Sequence, residues 1–265
     1  MPSKLAEKFG RLPTHLDLPW TDGKPVENLY QPEQSWILSD SIRPYLDQLH
    51  PDGQYLVAAD MGIYYQITDP PLKGCKAPDW FYVPNVPRNL SDAPFRRSYV
   101  MWQELVRPAV VVEYVSDQTR GEEHDATPES GKFWVYEQAL AVPVYVIYDP
   151  AAAHLEVYNM TGYHYVLARP DDRGLFFIRP LGLNLGLHYD THAGLTANWL
   201  RWFDSDGNLL ETHEEKLAEE KVRSAEEHAR AEQEKQRAER ERQRAENQKQ
   251  RAEQEKQRAE QEKQR

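Results

Sequence analysis

The sequence predicts an α+β (α/β-like) fold, a mixed central β-sheet flanked by helices, continued by a long solvated C-terminal helix. Three observations carry this expectation. Strand-like runs rich in Val, Ile and Tyr outnumber helical patterns, one helical segment crosses between two strongly apolar strands, and composition changes abruptly at His213. Beyond that residue no Phe, Tyr, Trp, Ile, Gly or Pro occurs, so the segment has no means of building a globular core.

Residues 1–30 are rich in proline and polar groups and read as an irregular N-terminal arm. In PEQSWILSDSIRPYLDQLH (32–50), Trp36, Ile37, Tyr45, Leu46 and Leu49 follow a helical spacing, while Pro44 predicts a kink or two short helices. GQYLVAADMGIYYQI (53–67) reads as two strands joined by a tight turn, and APDWFYV (77–83) as a short strand opening just after a proline. After a proline-rich loop, SYVMWQE and the valine run PAVVVEYV read as adjacent strands. A polar loop then leads to a helix from about Pro128 or Glu129, followed by VPVYVIYDP, a strand apolar on both faces. HLEVYNMTGYHYVLA is a hairpin by its Tyr/Val content and Thr-Gly turn. GLFFIRPLGLNLGLHY and LTANWLRWFDSDGNLL add strands, the last with an Asp-Gly turn signal. The domains expected are the arm (1–30), a globular domain (31–212) and a charged tail (213–265).

The tail repeats RAEQEKQ or a close variant from Arg230, Arg237, Arg244, Arg251 and Arg258, a period of seven. A coiled coil needs two apolar positions per heptad, and only alanine recurs here, at Ala231, Ala238, Ala245, Ala252 and Ala259. Opposite charges at Glu232 and Lys235 and at Glu226 and Arg230 instead support a single solvated helix. Weak self-association, giving a homodimer, or recruitment of a protein partner is the alternative use of this helix.

Charge and composition exclude several function classes. The net charge is −11, and the tail holds 15 of the 43 acidic and 15 of the 32 basic residues, so the whole excess lies on residues 1–212. Such a domain is a poor passive binder of nucleic acid, which needs Lys and Arg on phosphates, unless a local basic patch or metal ions offset it. Cys75 is the single cysteine, which excludes an internal disulfide and fits a reducing compartment. With no signal-peptide pattern and no run long enough to cross a bilayer, a cytoplasmic protein with no membrane partner is expected. The nine histidines lack metal-ligand spacing, Ser116 has no Gly-x-Ser-x-Gly elbow, and there is no Gly-rich phosphate loop.

One residue stands out. Glu113 lies within PAVVVEYVSDQT (108–119), where alternation puts Val111, Glu113 and Val115 on one face and Val110, Val112 and Tyr114 on the other. A carboxylate in a doubly covered strand must be paired, hydrogen-bonded or metal-bound. On position alone, a strand-end charge reaching solvent is the equal alternative. Asp79 begins the strand DWFYV and could place a second carboxylate beside Glu113 if the two strands are adjacent. Lys132 opens the following helix and Tyr136 lies one turn later on the same face. Two acids and a lysine in one pocket can bind a divalent cation, polarise a phosphate and orient water. Asp60, Asp69, Asp125 and Glu33 are further acids that turn, loop or helix-terminus roles explain as well.

The order PD on a strand, then VVVEYVSDQT, then GKFWVYEQALAVPVYVIYDP, resembles the Uma-type restriction endonuclease domains of the PD-(D/E)XK nuclease superfamily. The resemblance spans about Gln31 to Trp202, and WLRWFDSDGNLL followed by a charged heptad tail is similar to one branch of that family. It implies a restriction-endonuclease-like fold and a metal-dependent endonuclease cutting DNA with Mg²⁺ or Mn²⁺. Asp79 and Glu113 match the metal-binding acids, and Lys132, with Tyr136 behind it, matches a lysine displaced to the next helix. The superfamily's usual lysine position, two residues after the glutamate, holds Val115. The competing expectation is a binding module on a nuclease-like scaffold, without catalysis.

Overall fold

A computed structural model of the chain describes residues 10–21, 28–90, 95–117 and 120–263, the last helical turns (residue 255 and 257–263) by backbone alone. The rest of the predicted arm lies outside the described residues. Two compact units result, Met1–Leu210 and Glu211–Arg265.

In the first unit, the apolar runs pair into a six-stranded sheet of β1 (Tyr55–Ala58), β4 (Trp80–Pro84), β6 (Val110–Tyr114), β7 (Val144–Asp149), β8 (His154–Thr161) and β9 (His164–Leu167), in that order. The β6–β7 pair is parallel and the other four are antiparallel, so the sheet is mixed as expected. A parallel pair needs a crossover, which here carries α3 (Lys132–Trp134) and a π-helical turn, Val135–Ala139. A small sheet joins β2 (Ile63–Tyr64) to β3 (Cys75–Lys76) and β5 (Tyr99–Val100); a third holds β10 (Phe176–Ile178), β11 (Leu183–His192) and β12 (Leu195–Phe203).

Both faces of β6 are covered. Val110, Val112 and Tyr114 pack with Leu38, Ile42 and Leu46 of α1 (Tyr30–Leu49) and with Leu185 and Trp202. Gln34 fastens α1 to β12, its amide bonding the Leu200 carbonyl and amide at 2.8 Å each. On the other face, Val111 packs with Ile63, Tyr99, Val135, Tyr136 and Tyr145. Trp199, Trp202, Tyr145 and Tyr148 are core residues, each 0 % exposed.

Four local features correct or refine the expectations, each for an identifiable reason. Pro44 does not split α1 into two helices: it lies on the exposed side, and burial of Ile37, Leu38, Ile42 and Leu46 holds the helix together. Residues 53–67 hold two strands, but β1 pairs with β4 and β2 with β3 and β5, with Asp60 at φ 50° between them. SYVMWQE is not a neighbour of the valine run: Tyr99–Val100 joins β2, and Met101–Glu104 is a helical turn (α2) closed by Leu105 at φ 60°. The crossover helix starts at Lys132 rather than Pro128 or Glu129, because Glu129 sits at φ 67°, outside helical geometry.

The second unit is a helix, α4 (His213–Lys263), whose first turn carries a capping box. The Thr212 amide donates to Glu215 Oε2 at 2.7 Å and the Glu215 amide to Thr212 Oγ1 at 3.3 Å. Along it, Glu226–Arg230 and Arg237–Glu241 pair at 4.0 and 3.4 Å, each at i,i+4 spacing. Among the described residues, no helix is long and apolar enough to cross a membrane.

Gly131 fixes where α3 begins. A Cβ there would lie 2.1 Å from the Asp125 carbonyl oxygen and 2.7 Å from the Thr127 nitrogen, both backbone atoms that cannot swing aside. We expect Gly131→Ala to destabilise the domain by about 1–3 kcal/mol, the range for overpacking. A melting temperature equal to wild type in thermal unfolding would contradict this close approach.

Candidate active site

Glu113 is 1 % exposed, so it does not cap the strand into solvent. Two donors from one helical turn clasp it: Lys132 Nζ reaches Oε2 at 2.8 Å and the Tyr136 hydroxyl donates to Oε1 at 2.5 Å. Removing one partner of such a buried pair leaves an uncompensated charge, typically costing about 3–5 kcal/mol. The sequence places both donors correctly because the i,i+4 spacing of Lys132 and Tyr136 survives the change from α to π geometry. Behind them, Tyr145 lies 4.9 Å from the Tyr136 ring, and Phe133 meets Tyr158 and Tyr165 edge-on at 5.1 and 5.3 Å. These contacts leave the helical turn little room to rotate.

Asp79 lies one residue before β4. The antiparallel register pairs Trp80 with Val112, and continuing it by one step sets Asp79 opposite Glu113. The Tyr114 amide donates to Asp79 Oδ2 at 2.5 Å, and Ser35 of α1 donates to the Asp79 carbonyl at 3.1 Å. Burial, and then the charge of Glu113, push the Asp79 carboxyl well above the usual carboxylate range, against the Tyr114 amide and Lys132, which pull it down. Burial also pushes Lys132 down, but the Glu113 carboxylate outweighs it and holds the ammonium above its ordinary pKa. Burial followed by the Glu113 charge raises Tyr136 well above a free phenol, which keeps its hydroxyl a donor.

The remaining sequence candidates lie apart or on the rim. Val115, in the superfamily's lysine position, packs among apolar neighbours. Asp60 is exposed but close enough for its charge to raise Asp79. Asp69 is exposed, and Asp125 accepts from the Thr127 amide at 2.9 Å as a loop-closing group. Glu33 faces His192 at 3.4 Å. Sequence reasoning missed Lys76, whose ammonium feels the charges of both Lys132 and Glu113. It sits on a two-residue strand that leaves no periodic signal.

Asp79 and Glu113 offer hard oxygen donors of the kind Mg²⁺ and Mn²⁺ prefer, and two like charges side by side are an arrangement a cation relieves. Each Glu113 oxygen makes one hydrogen bond and keeps acceptor capacity. Among the described residues, no group of three or more His, Cys, Asp or Glu could hold a metal ion. A cation here would therefore draw its other ligands from water, backbone or substrate, as Mg²⁺ commonly does.

A comparison with curated proteins finds none that matches the chain. A family model, Uma2, described as "Putative restriction endonuclease", matches residues 7–196, beginning earlier in the arm than the Gln31–Trp202 resemblance read from the sequence. That match covers most of the first unit, including the strands and helical turn that carry Asp79, Glu113, Lys132 and Tyr136. With its mixed sheet and helical crossover, the chain belongs to the Uma2 family and has a restriction-endonuclease-like fold.

Proposed function

We propose that the protein is a metal-dependent endonuclease hydrolysing DNA phosphodiester bonds, with Asp79 and Glu113 holding Mg²⁺ or Mn²⁺ and Lys132 and Tyr136 completing the site. The observation that carries this reading is the clasp of Lys132 and Tyr136 on buried Glu113, near the end of an interior strand where Asp79 is the opposing residue. The bound cation would supply Lewis-acid polarisation of the phosphate and a water of lowered pKa. The chain's residues do the rest. Asp79 and Glu113 set where positive charge is held, Lys132 holds Glu113 in place through Oε2, and Tyr136 fixes the carboxylate plane through Oε1. The tyrosine wall behind them excludes water and strengthens each of these electrostatic contacts. Residues 31–212 form the nuclease-like domain in this reading, and the tail 213–265 is a surface for self-association or a protein partner.

Cleavage of plasmid DNA tests the proposal. Wild-type protein with Mg²⁺ or Mn²⁺ should nick or linearise the plasmid and stop when chelator is added. Asp79→Ala and Lys132→Ala should each lose this activity by at least about 100-fold, as loss of an electrostatic catalytic group does. Equal residual cutting in all samples would assign the activity to a contaminant and favour a non-catalytic binding module.

A second test uses the raised Asp79 pKa in chelator. A carboxyl whose folded pKa exceeds its unfolded value makes the folded state bind more protons, so its contribution to stability falls as pH rises between the two values. Asp79→Asn keeps an acceptor for the Tyr114 amide and removes the titration. We expect variant and wild type to melt together near about pH 4, with the variant increasingly the more stable as pH rises. A melting-temperature gap independent of pH would refute the assignment of a raised pKa to Asp79.

A further inference from the structure

Lys132 cannot serve Glu113 and an incoming phosphate equally. Its ammonium is 2.8 Å from a carboxylate that is itself 1 % exposed, and it is already paired there. Another cation, Lys76, lies close enough to feel the charges of both Lys132 and Glu113. In the small sheet, Lys76 stands directly opposite Ile63, which pairs in turn with Tyr99. Residues opposite one another in a sheet share a face. Ile63 and Tyr99 are both 0 % exposed and pack in the cluster that holds Val111, Val135 and Tyr136, the Glu113 side of the central sheet. Lys76 is therefore at the end of that row on the Glu113 side of the sheet, and its ammonium feels the Glu113 charge.

A second contact fixes this sheet against the crossover: the Tyr65 hydroxyl bonds the Glu129 carbonyl at 3.1 Å and the Lys73 carbonyl at 3.2 Å, joining the chain beside β3 to the loop ahead of Lys132. Lys76 is half-buried, and among the described residues its ammonium makes no ion pair or side-chain hydrogen bond. Burial, and then the neighbouring Lys132, press its pKa down, whereas Glu113, Cys75 and Glu122 hold it up. Few environments keep a half-buried, unpaired ammonium beside a second one unless an anion arrives between them.

We propose that Lys76 is the phosphate-binding cation of this site, contacting a non-bridging oxygen of the nucleic-acid phosphodiester while Lys132 stays committed to Glu113. This inference rests on the nuclease reading for the identity of the substrate. It also answers the charge problem of an acidic domain, because it supplies a local cation where the phosphate must sit.

The test is binding of a fluorescently labelled DNA duplex to the full chain in Ca²⁺, followed by anisotropy over a range of salt concentrations. Lys76→Met should weaken binding several-fold and make the slope of log K against log salt shallower by about 0.9, the value for one lost phosphate contact. Lys76→Arg should restore both. Lys132→Met should leave that slope near wild type. A purely structural role for Lys76 predicts a lower melting temperature with an unchanged salt slope, and that result overturns the inference, as does a Lys76→Met protein that binds like wild type. Plasmid cleavage separates the two readings: wild type that does not cut but shows the Lys76-dependent slope keeps the phosphate contact and removes the nuclease. Wild type that cuts while Lys76→Met keeps its slope does the reverse, and a wild type with no DNA binding removes both.

Discussion

One buried carboxyl group, that of Glu113, organises this domain. Glu113 occupies a strand covered on both faces, where an ionised carboxylate without partners would cost several kcal/mol. Its partners must come from outside the sheet, and the crossover between β6 and β7 is the element positioned to bring them. That requirement explains features that look incidental in isolation. The helix must begin at Lys132, which needs a residue without a side chain against the Asp125 carbonyl. One turn later Tyr136 must still face the carboxylate, and the helical turn widens to π geometry there, a departure from regular helix that recurs at functional sites.

The same constraint shapes the tyrosines around the site. Tyr136 and Tyr145 are fully buried, and burial with the nearby Glu113 charge raises both phenols. A phenol held neutral is a donor, so Tyr136 adds a hydrogen bond without adding charge. Tyr145 has its own acceptor, donating to the Glu123 carbonyl at 2.9 Å, and is thereby free to serve as the wall on which Tyr136 packs. Packing and electrostatics thus depend on the same few side chains. A substitution that loosens the aromatic wall therefore disturbs the charge geometry as well.

How much of this could be read from the sequence depends on the scale of the signal. Alternation along PAVVVEYV put Glu113 on the correct face, and the i,i+4 spacing from Lys132 to Tyr136 put both donors on one side of their helix. Those patterns are local, and local periodicity is what a single sequence records. Sheet assignment is not local. SYVMWQE looked like the neighbour of the valine run, yet β4, arriving from earlier in the chain, pairs with β6 instead. Lys76 escaped notice for the same reason, since its place follows from a two-residue strand whose partner is also two residues long. Pro44 misled in the opposite direction: a strong local breaker was overruled by the buried stripe on the other side of its helix.

In the proposed site, Val115 occupies the superfamily's lysine position and Lys132 supplies the ammonium instead. A lysine two positions after Glu113 would project from the same strand face, and here that position is apolar and joins the core cluster beneath the helix. Moving the ammonium to Lys132 changes what it can do. A strand-borne lysine is tied to the sheet, whereas Lys132 sits on the first turn after a loop and its position depends on Gly131 and on Phe133 packed among Tyr145, Tyr158 and Tyr165. The loop also touches the small sheet through Tyr65 and Glu129. Lys132 is therefore coupled to two other parts of the fold, while Val115 adds an apolar residue to the strand that carries Glu113. Because the loop, the helical turn and the small sheet all bear on one carboxylate, any ligand that binds the acids stabilises the three together, by the linkage that makes a binder of the folded state alone a stabiliser of it.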